Sequence, residues 1–211
     1  MQSTHPYSMP TITFDYAALY YLNWWLRYDR HYCAALKSSD LETQRAALVK
    51  AAAVYRVARN LRIKHDKEGH RFATALEIIR QPHPREFKGA QLISTVDTVR
   101  RQLCEAYKRK DLLSLTTKFL WLRLQTPIII YDRNARQALG TKTGDLPAFY
   151  HAWKREYDKY RPQIQAACSA HPELSRYCIN PAFTPKDVAS IANTDWFQER
   201  VFDSFLWHAG A

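Results

Sequence analysis

Leu113-Ser-Leu-Thr-Thr-Lys-Phe-Leu-Trp-Leu-Arg-Leu-Gln-Thr-Pro-Ile-Ile-Ile-Tyr-Asp-Arg-Asn-Ala-Arg-Gln-Ala-Leu139 is the stretch from which the rest of the chain is best read. Leu112, Leu115, Phe119 and Leu122 recur at helical spacing, which predicts a helix from just after Asp111 to about Leu124. Thr126-Pro127 breaks it, because the residue before a proline is driven out of helical dihedrals. The apolar run Ile128–Tyr131 ends on Asp132, a natural N-cap, and a short helix from Arg133 to Leu139 closes at Gly140. Asp111, Ser114, Lys118, Trp121 and Gln125 fall on a second stripe of the first helix, where Lys118 is the only cation between Asp111 and Arg123. Partial burial lowers the pKa of an amine, and a deprotonated amine is a nucleophile. A helix, a proline turn, an apolar crossing and a second helix start can bring Lys118 and Asp132 into one cleft, with Arg133 and Arg136 beside it to hold phosphate.

Outward from this segment the chain reads as helices throughout. Phe14, Ala18, Tyr21, Leu22, Trp25, Tyr28 and Tyr32 predict one long amphipathic helix over Phe14–Leu36. Ser39-Asp-Leu-Glu42 has the form of a capping box opening the next, in which Ala47, Ala51, Val54, Ala58 and Leu61 repeat, with Arg56, Arg59 and Arg62 on another face. A third helix is expected over Glu68–Ile79, stopped by Gln81-Pro-His-Pro84, and a fourth over Gly89–Arg109 buries Leu92, Val96, Val99 and Leu103. The exposed side of the fourth carries Arg100, Arg101, Lys108, Arg109 and Lys110. Asp145-Leu-Pro starts a helix through Tyr160, and Pro162–Ala170 reads as one more. Thr184-Pro-Lys-Asp187 and Thr194-Asp195 open the last two, the final one with Phe197, Val201 and Phe205 inward. The expected fold class is all-α: one compact domain of eight to ten helices over residues 1–211, in which the Gln81–Pro84 break divides an N-terminal layer (1–82) from a C-terminal catalytic layer (83–211).

A formal charge of +11 with 46% hydrophobic residues argues for a folded basic domain with an anionic partner. Nucleic acid is the commonest such partner, because neutralised phosphates release counterions. There is no apolar run of membrane-spanning length, and Met1–Pro10 lacks a signal-peptide layout, so no membrane partner and a cytoplasmic location, on the nucleoid when DNA is bound, are expected. Cys33, Cys104, Cys168 and Cys178 have neither C-x-x-C nor zinc-site spacing and read as reduced thiols. No metal or cofactor is expected.

Thr117-Lys118-Phe119-Leu120, the proline turn, and Ile130-Tyr131-Asp132-Arg133 followed by Ala135-Arg136-x-Ala138-Leu139 resemble the helix-hairpin-helix DNA glycosylase superfamily, in particular the compact bacterial relatives of 8-oxoguanine DNA glycosylase. The resemblance covers about a fifth of the chain. Leu113–Thr117 stands where the family carries a glycine-rich turn, so the hairpin here is degenerate, and the lysine-to-aspartate spacing is shorter than in well-known members. The resemblance implies a lysine that attacks the sugar C1′, at Lys118, and an aspartate that stabilises the developing positive charge, at Asp132. It implies double-stranded DNA with a flipped base as substrate, in repair or in defence against phages. Thr117, Trp121, Arg123, Arg133, Arg136, Lys142, Arg100 and Arg101 are then candidate nucleic-acid contacts, and Tyr21, Trp24 and Trp25 a candidate stacking surface for the base, beside the plainer reading of that stripe as core.

Two other readings compete. Arg59-Asn60-x(4)-His65 matches the R-N-x(4)-H pattern of HEPN ribonucleases, with Arg59 and His65 acting on the scissile phosphate and the 2′-hydroxyl, although R-x(4–6)-H matches also arise by chance and a histidine at a helix end has a dipole explanation. Alternatively the basic helix faces bind nucleic acid without chemistry.

Overall fold

The computed structural model describes residues 12–58, 61, 70–89 and 91–211 and is all-helical, with one core running through the chain. Helix α1 (Phe14–Trp24) is opened by Thr13, whose hydroxyl accepts the Tyr16 N–H. The expected single helix to Leu36 is continuous but not uniform: Trp25–Asp29 forms a π-helical turn before α2 (Arg30–Leu36). The wider i→i+5 turn sets Asp29 beside Trp24, five residues earlier, instead of on the opposite side of a regular helix. The demand of a buried carboxylate for donors explains this departure from α-helical register.

Helix α3 (Leu41–Val54) is capped by Asp40, which accepts the N–H groups of Glu42 and Thr43. The capping residue is therefore Asp40, one position later than the Ser39 box predicted. Helix α4 (Ala73–Arg80) ends at Gln81 as expected, while its predicted start at Glu68 lies outside the described residues. A 3₁₀ turn over Pro84–Glu86 leads into α5 (Gln91–Ala106), which buries Leu92, Val96, Val99 and Leu103 as its period requires.

Helix α6 (Leu113–Leu124) forms the centre of the molecule. Every residue from Leu115 to Leu122 is buried, so its second stripe is not a solvent face. The Thr116 and Thr117 hydroxyls tolerate this by donating to the carbonyls of Leu112 and Leu113, one turn back. Helix α7 (Arg133–Ala138) follows the apolar crossing and ends at Gly140, whose φ of 64° needs no Cβ.

Helix α8 (Leu146–Ser169) runs unbroken through Pro162, where sequence reading expected two helices. Pro162 and Asp158, whose carbonyl loses its partner, are both exposed, so that carbonyl is open to solvent, and burial of Tyr157, Ile164 and Cys168 on the other face holds the helix together. Helices α9 (His171–Arg176), α10 (Pro185–Ala192, with a Thr184–Asp187 capping box) and α11 (Asp195–Ala209) complete the fold.

Helix α1 packs on α11 and α8, and α11 also packs on α7. The α11–α7 approach is close enough that a Cβ on Gly210 would lie 2.0 Å from the Asn134 carbonyl oxygen. The first turn of α7, and with it Asp132, is thereby seated against the end of α11. Cys33 and Cys168 are buried free thiols, and burial pushes the Cys168 pKa up to about 12. Among the described residues no helix is long and apolar enough to cross a membrane.

Candidate active site

Lys118 sits in the middle of α6, and its side chain is only 6% exposed. Its Nζ donates to Ser114 Oγ at 2.8 Å and to Asp132 Oδ2 at 2.9 Å. Asp132 divides its carboxylate: Oδ1 accepts the Asn134 N–H at 3.0 Å and caps α7, while Oδ2 faces Lys118. The register between the two elements is held by Thr117, whose hydroxyl accepts the Tyr131 N–H at 3.0 Å. Tyr131 is tied in turn by its own hydroxyl, which accepts the Gly144 N–H. Burial lowers the Lys118 pKa, and the charge and hydrogen bond of Asp132 oppose that lowering. The amine therefore loses its proton more readily than an ordinary lysine.

The pair opens on a cleft of about 890 Å³, within the range of small-molecule sites. Tyr20, Trp24, Tyr55 and Trp207 form aromatic walls, and Arg56, Arg109 and Arg133 also line it. Arg200, Asp203, Lys118 and Asp132 alternate in charge along the floor, with Asp29 buried behind them, and of these sequence reading found only Lys118 and Asp132. Arg200 Nη1 donates to Asp203 Oδ2 at 2.8 Å, and Trp153 Nε1 to Asp203 Oδ1 at 2.7 Å. The Arg200 guanidinium lies 4.9 Å from the ring centres of both Tyr21 and Trp121. Burial opposes its charge, but the neighbouring Tyr55 and Tyr21 hydroxyls and the Asp203 and Asp29 carboxylates hold its pKa well above the usual value.

Asp29 is fully buried and takes hydrogen bonds from Tyr55 Oη at 2.8 Å, Trp24 Nε1 at 3.2 Å and Tyr21 Oη at 3.3 Å. It thereby fixes two of the aromatic rings that wall the cleft. Burial raises its pKa to about 6, against Arg200 and the three donors, which lower it. A carboxyl whose folded pKa lies above its unfolded value stabilises the fold most when protonated, so its contribution is full below about pH 4 and fades as pH rises to about 6. The carboxyl carbon of Asp29, followed by ¹³C NMR, is expected to titrate with a midpoint near 6; a midpoint below 4 would contradict this account of its burial.

The other predicted residues divide clearly. Tyr21 and Trp24 line the cleft, but Trp25 does not: it packs on Trp196, with ring centres 4.5 Å apart. Arg133 lines the cleft as expected. Thr117 and Trp121 are buried structural residues that do not line the cleft, because they lie within the buried Leu115–Leu122 stretch of α6. Arg123 donates to the carbonyls of Ile79, Arg80 and Pro82 and so closes the end of α4. Arg136 donates to the Thr141 carbonyl at 2.7 Å, and Lys142 is exposed outside the cleft lining. Arg100 and Arg101 pair with Asp97 on their own helix, and neither lines the cleft. Arg59 and His65 lie outside the described residues.

Besides the buried acids and Arg200, sequence reading missed Tyr55 and Trp207 as wall residues. The available signal was Arg200 and Asp203 three apart within the apolar run of α11, a spacing that places opposite charges side by side on one helix face. Comparison with protein-family models, with curated proteins and with solved structures finds no match.

Proposed function

We propose that the cleft removes a base from DNA, with Lys118 as nucleophile and Asp132 as the counter-charge to the sugar cation. The observation that carries this reading is the 2.9 Å Lys118–Asp132 contact, buried at the floor of an aromatic-walled cleft that arginines also line. A flipped base needs aromatic faces to stack on, and the cleft walls offer them. Arginines on the same cleft suit the flanking phosphates.

Lys118 first gives its proton to solvent in the cleft, which burial favours, and this frees the Asp132 carboxylate from the ion pair. The glycosidic C1′–N bond breaks, its electron pair leaves with the base, and the base takes up a proton. Asp132 faces the positive charge growing at C1′, in a site where water screens it little. The Nζ lone pair forms the new N–C1′ bond, Asp132 takes a second amine proton and passes it to O4′ as the C1′–O4′ bond breaks, and the nitrogen lone pair closes onto C1′ to give an iminium. β-Elimination of the 3′ phosphate can follow from that iminium.

The test is borohydride trapping on duplex and single-stranded oligonucleotides carrying oxidised, deaminated or alkylated bases. Hydride reduces the iminium and leaves a covalent protein–DNA adduct, which is expected with native protein and absent with Lys118→Ala. Asp132→Asn is expected to slow base release roughly 10²- to 10³-fold, the scale of losing one preorganised charge at a transition state. No adduct and no free base across the set, with salt-dependent binding intact, would identify a non-catalytic nucleic-acid binder instead.

A further inference from the structure

Tyr16, Tyr20 and Trp24 are spaced four residues apart on one face of α1 and form a regular row. Tyr16 and Tyr20 are nearly parallel, with ring centres 6.2 Å apart and planes 22° apart; Tyr20 and Trp24 repeat this at 6.2 Å and 21°. The row begins outside the cleft at Tyr16, which is 47% exposed, and ends at Trp24 on the cleft wall. Trp207 on α11, 41% exposed, adds a fourth ring on the cleft. His208 joins the two helices edge-on, its ring centre 5.3 Å from Tyr16, 4.7 Å from Tyr20 and 4.9 Å from Trp207. Tyr16 and Trp207 are thus exposed ends of an otherwise half-buried aromatic surface that leads into the cleft, the kind of patch on which a partner lies.

The charges nearby narrow the occupant. Arg56, Arg109 and Arg133 line the same cleft, and among the described residues none of them is paired with a carboxylate. Elsewhere on the surface Arg45, Arg100 and Arg101 are paired with acids on their own helices. Unpaired arginines beside a row of flat rings suit a polymer that alternates phosphates with aromatic bases. Duplex DNA fits the row poorly, because its bases are paired and rise only about 3.4 Å per step, roughly half the ring spacing. An unstacked single strand can present one base to each ring.

We propose that single-stranded DNA enters the cleft along α1, its bases lying on Tyr16, Tyr20, Trp24 and Trp207 and its phosphates on Arg56, Arg109 and Arg133. The choice of DNA over RNA rests on the base-excision reading of the cleft, whereas the strand path itself does not depend on the chemistry at Lys118. It assigns the substrate class as single-stranded or locally opened DNA.

The experiment is fluorescence anisotropy with a labelled oligothymidine of about twelve nucleotides, within the length such grooves cover, against a duplex of equal length and an oligouridine. The single-stranded DNA is expected to bind at least tenfold tighter than the duplex at physiological salt. Tyr16→Ala and Trp207→Ala, both at exposed positions, are each expected to weaken it roughly 5- to 100-fold without changing the salt slope, as removal of base stacking does. Trp207→Phe is expected to restore most of the binding. The Arg109→Ala/Arg133→Ala pair is expected to flatten the salt slope by about 0.7 for each phosphate no longer neutralised. Equal or tighter duplex binding, native affinity in both aromatic variants, or a preference for oligouridine would overturn the proposal. Binding that behaves as expected with no borohydride adduct would refute the excision chemistry alone. An adduct formed equally by the aromatic variants would refute the strand path alone.

Discussion

Arg200→Met is expected to destabilise the protein by about 3–5 kcal/mol, because it leaves Asp203 and Asp29 buried without their cation. Arg200 is 7% exposed and Asp29 0%, so solvent screens little of the loss. Methionine roughly matches the aliphatic part of arginine, and the stack between Tyr21 and Trp121 is largely refilled, which isolates the electrostatic part of the effect. Arg200 lowers the pKa of both Asp203 and Asp29, so its removal raises both further above their unfolded values. Raised acidic pKa values stabilise the folded state when protonated and lose that contribution as pH rises. The deficit of Arg200→Met is therefore expected to be greater at pH 8 than at pH 5, read from urea midpoints at each pH. A loss below about 1 kcal/mol, or a deficit that grows toward pH 5, would contradict the charge chain described for the cleft floor.

Trp153→Ala is expected to cost about 3–5 kcal/mol by a different route. Trp153 is fully buried, stacks on Tyr157 with ring centres 4.9 Å apart, and meets Phe202 edge-on at 5.2 Å. Its loss leaves a cavity the surrounding helices cannot close, and takes away the 2.7 Å hydrogen bond to Asp203 Oδ1. Because Trp153 and Arg200 hold the two oxygens of the same carboxylate, their effects are expected not to add. Combining Trp153→Ala with Arg200→Met should differ from the sum of the singles by about 0.5–3 kcal/mol, and strict additivity would mean that Asp203 does not couple them.

Much of the fold was legible because local rules agreed with the tertiary arrangement. Leu92, Val96, Val99 and Leu103 on α5 repeat on one face with a polar face opposite, and that face is the buried one. Asp132, Gly140, Asp145 and Thr184 are cap residues whose chemistry acts over a few positions, and the helices begin or end beside them. The Lys118–Asp132 contact was legible for the same reason, since a helix, a proline turn and a cap leave few ways to arrange the two residues.

What stayed hidden depends on contacts far apart in sequence. The π turn at Trp25–Asp29 serves Asp29, whose donors include Tyr55, twenty-six residues away. Nothing near Asp29 marks it as buried. Ser114, Lys118 and Trp121 read as one stripe only while α6 is imagined with one solvent face, whereas Trp121 is buried and only the cleft reaches Ser114 and Lys118. Arg123 and Arg136 looked like phosphate ligands because a cation bonded to backbone carbonyls cannot be told from a free one by composition. Arg109 and Arg133 are distinguished from them by what lies within reach, not by residue type.

The most direct test of the central claim is to locate the covalent bond. Native protein is reduced with borohydride on single-stranded DNA bearing the base it releases, then digested with protease and nuclease, and the adduct is mapped by mass spectrometry. The account predicts a reduced sugar remnant on the peptide containing Lys118, and on no other amine. A remnant on another lysine or on the terminal amine, or base release with no adduct, would contradict the assignment of Lys118 as the nucleophile.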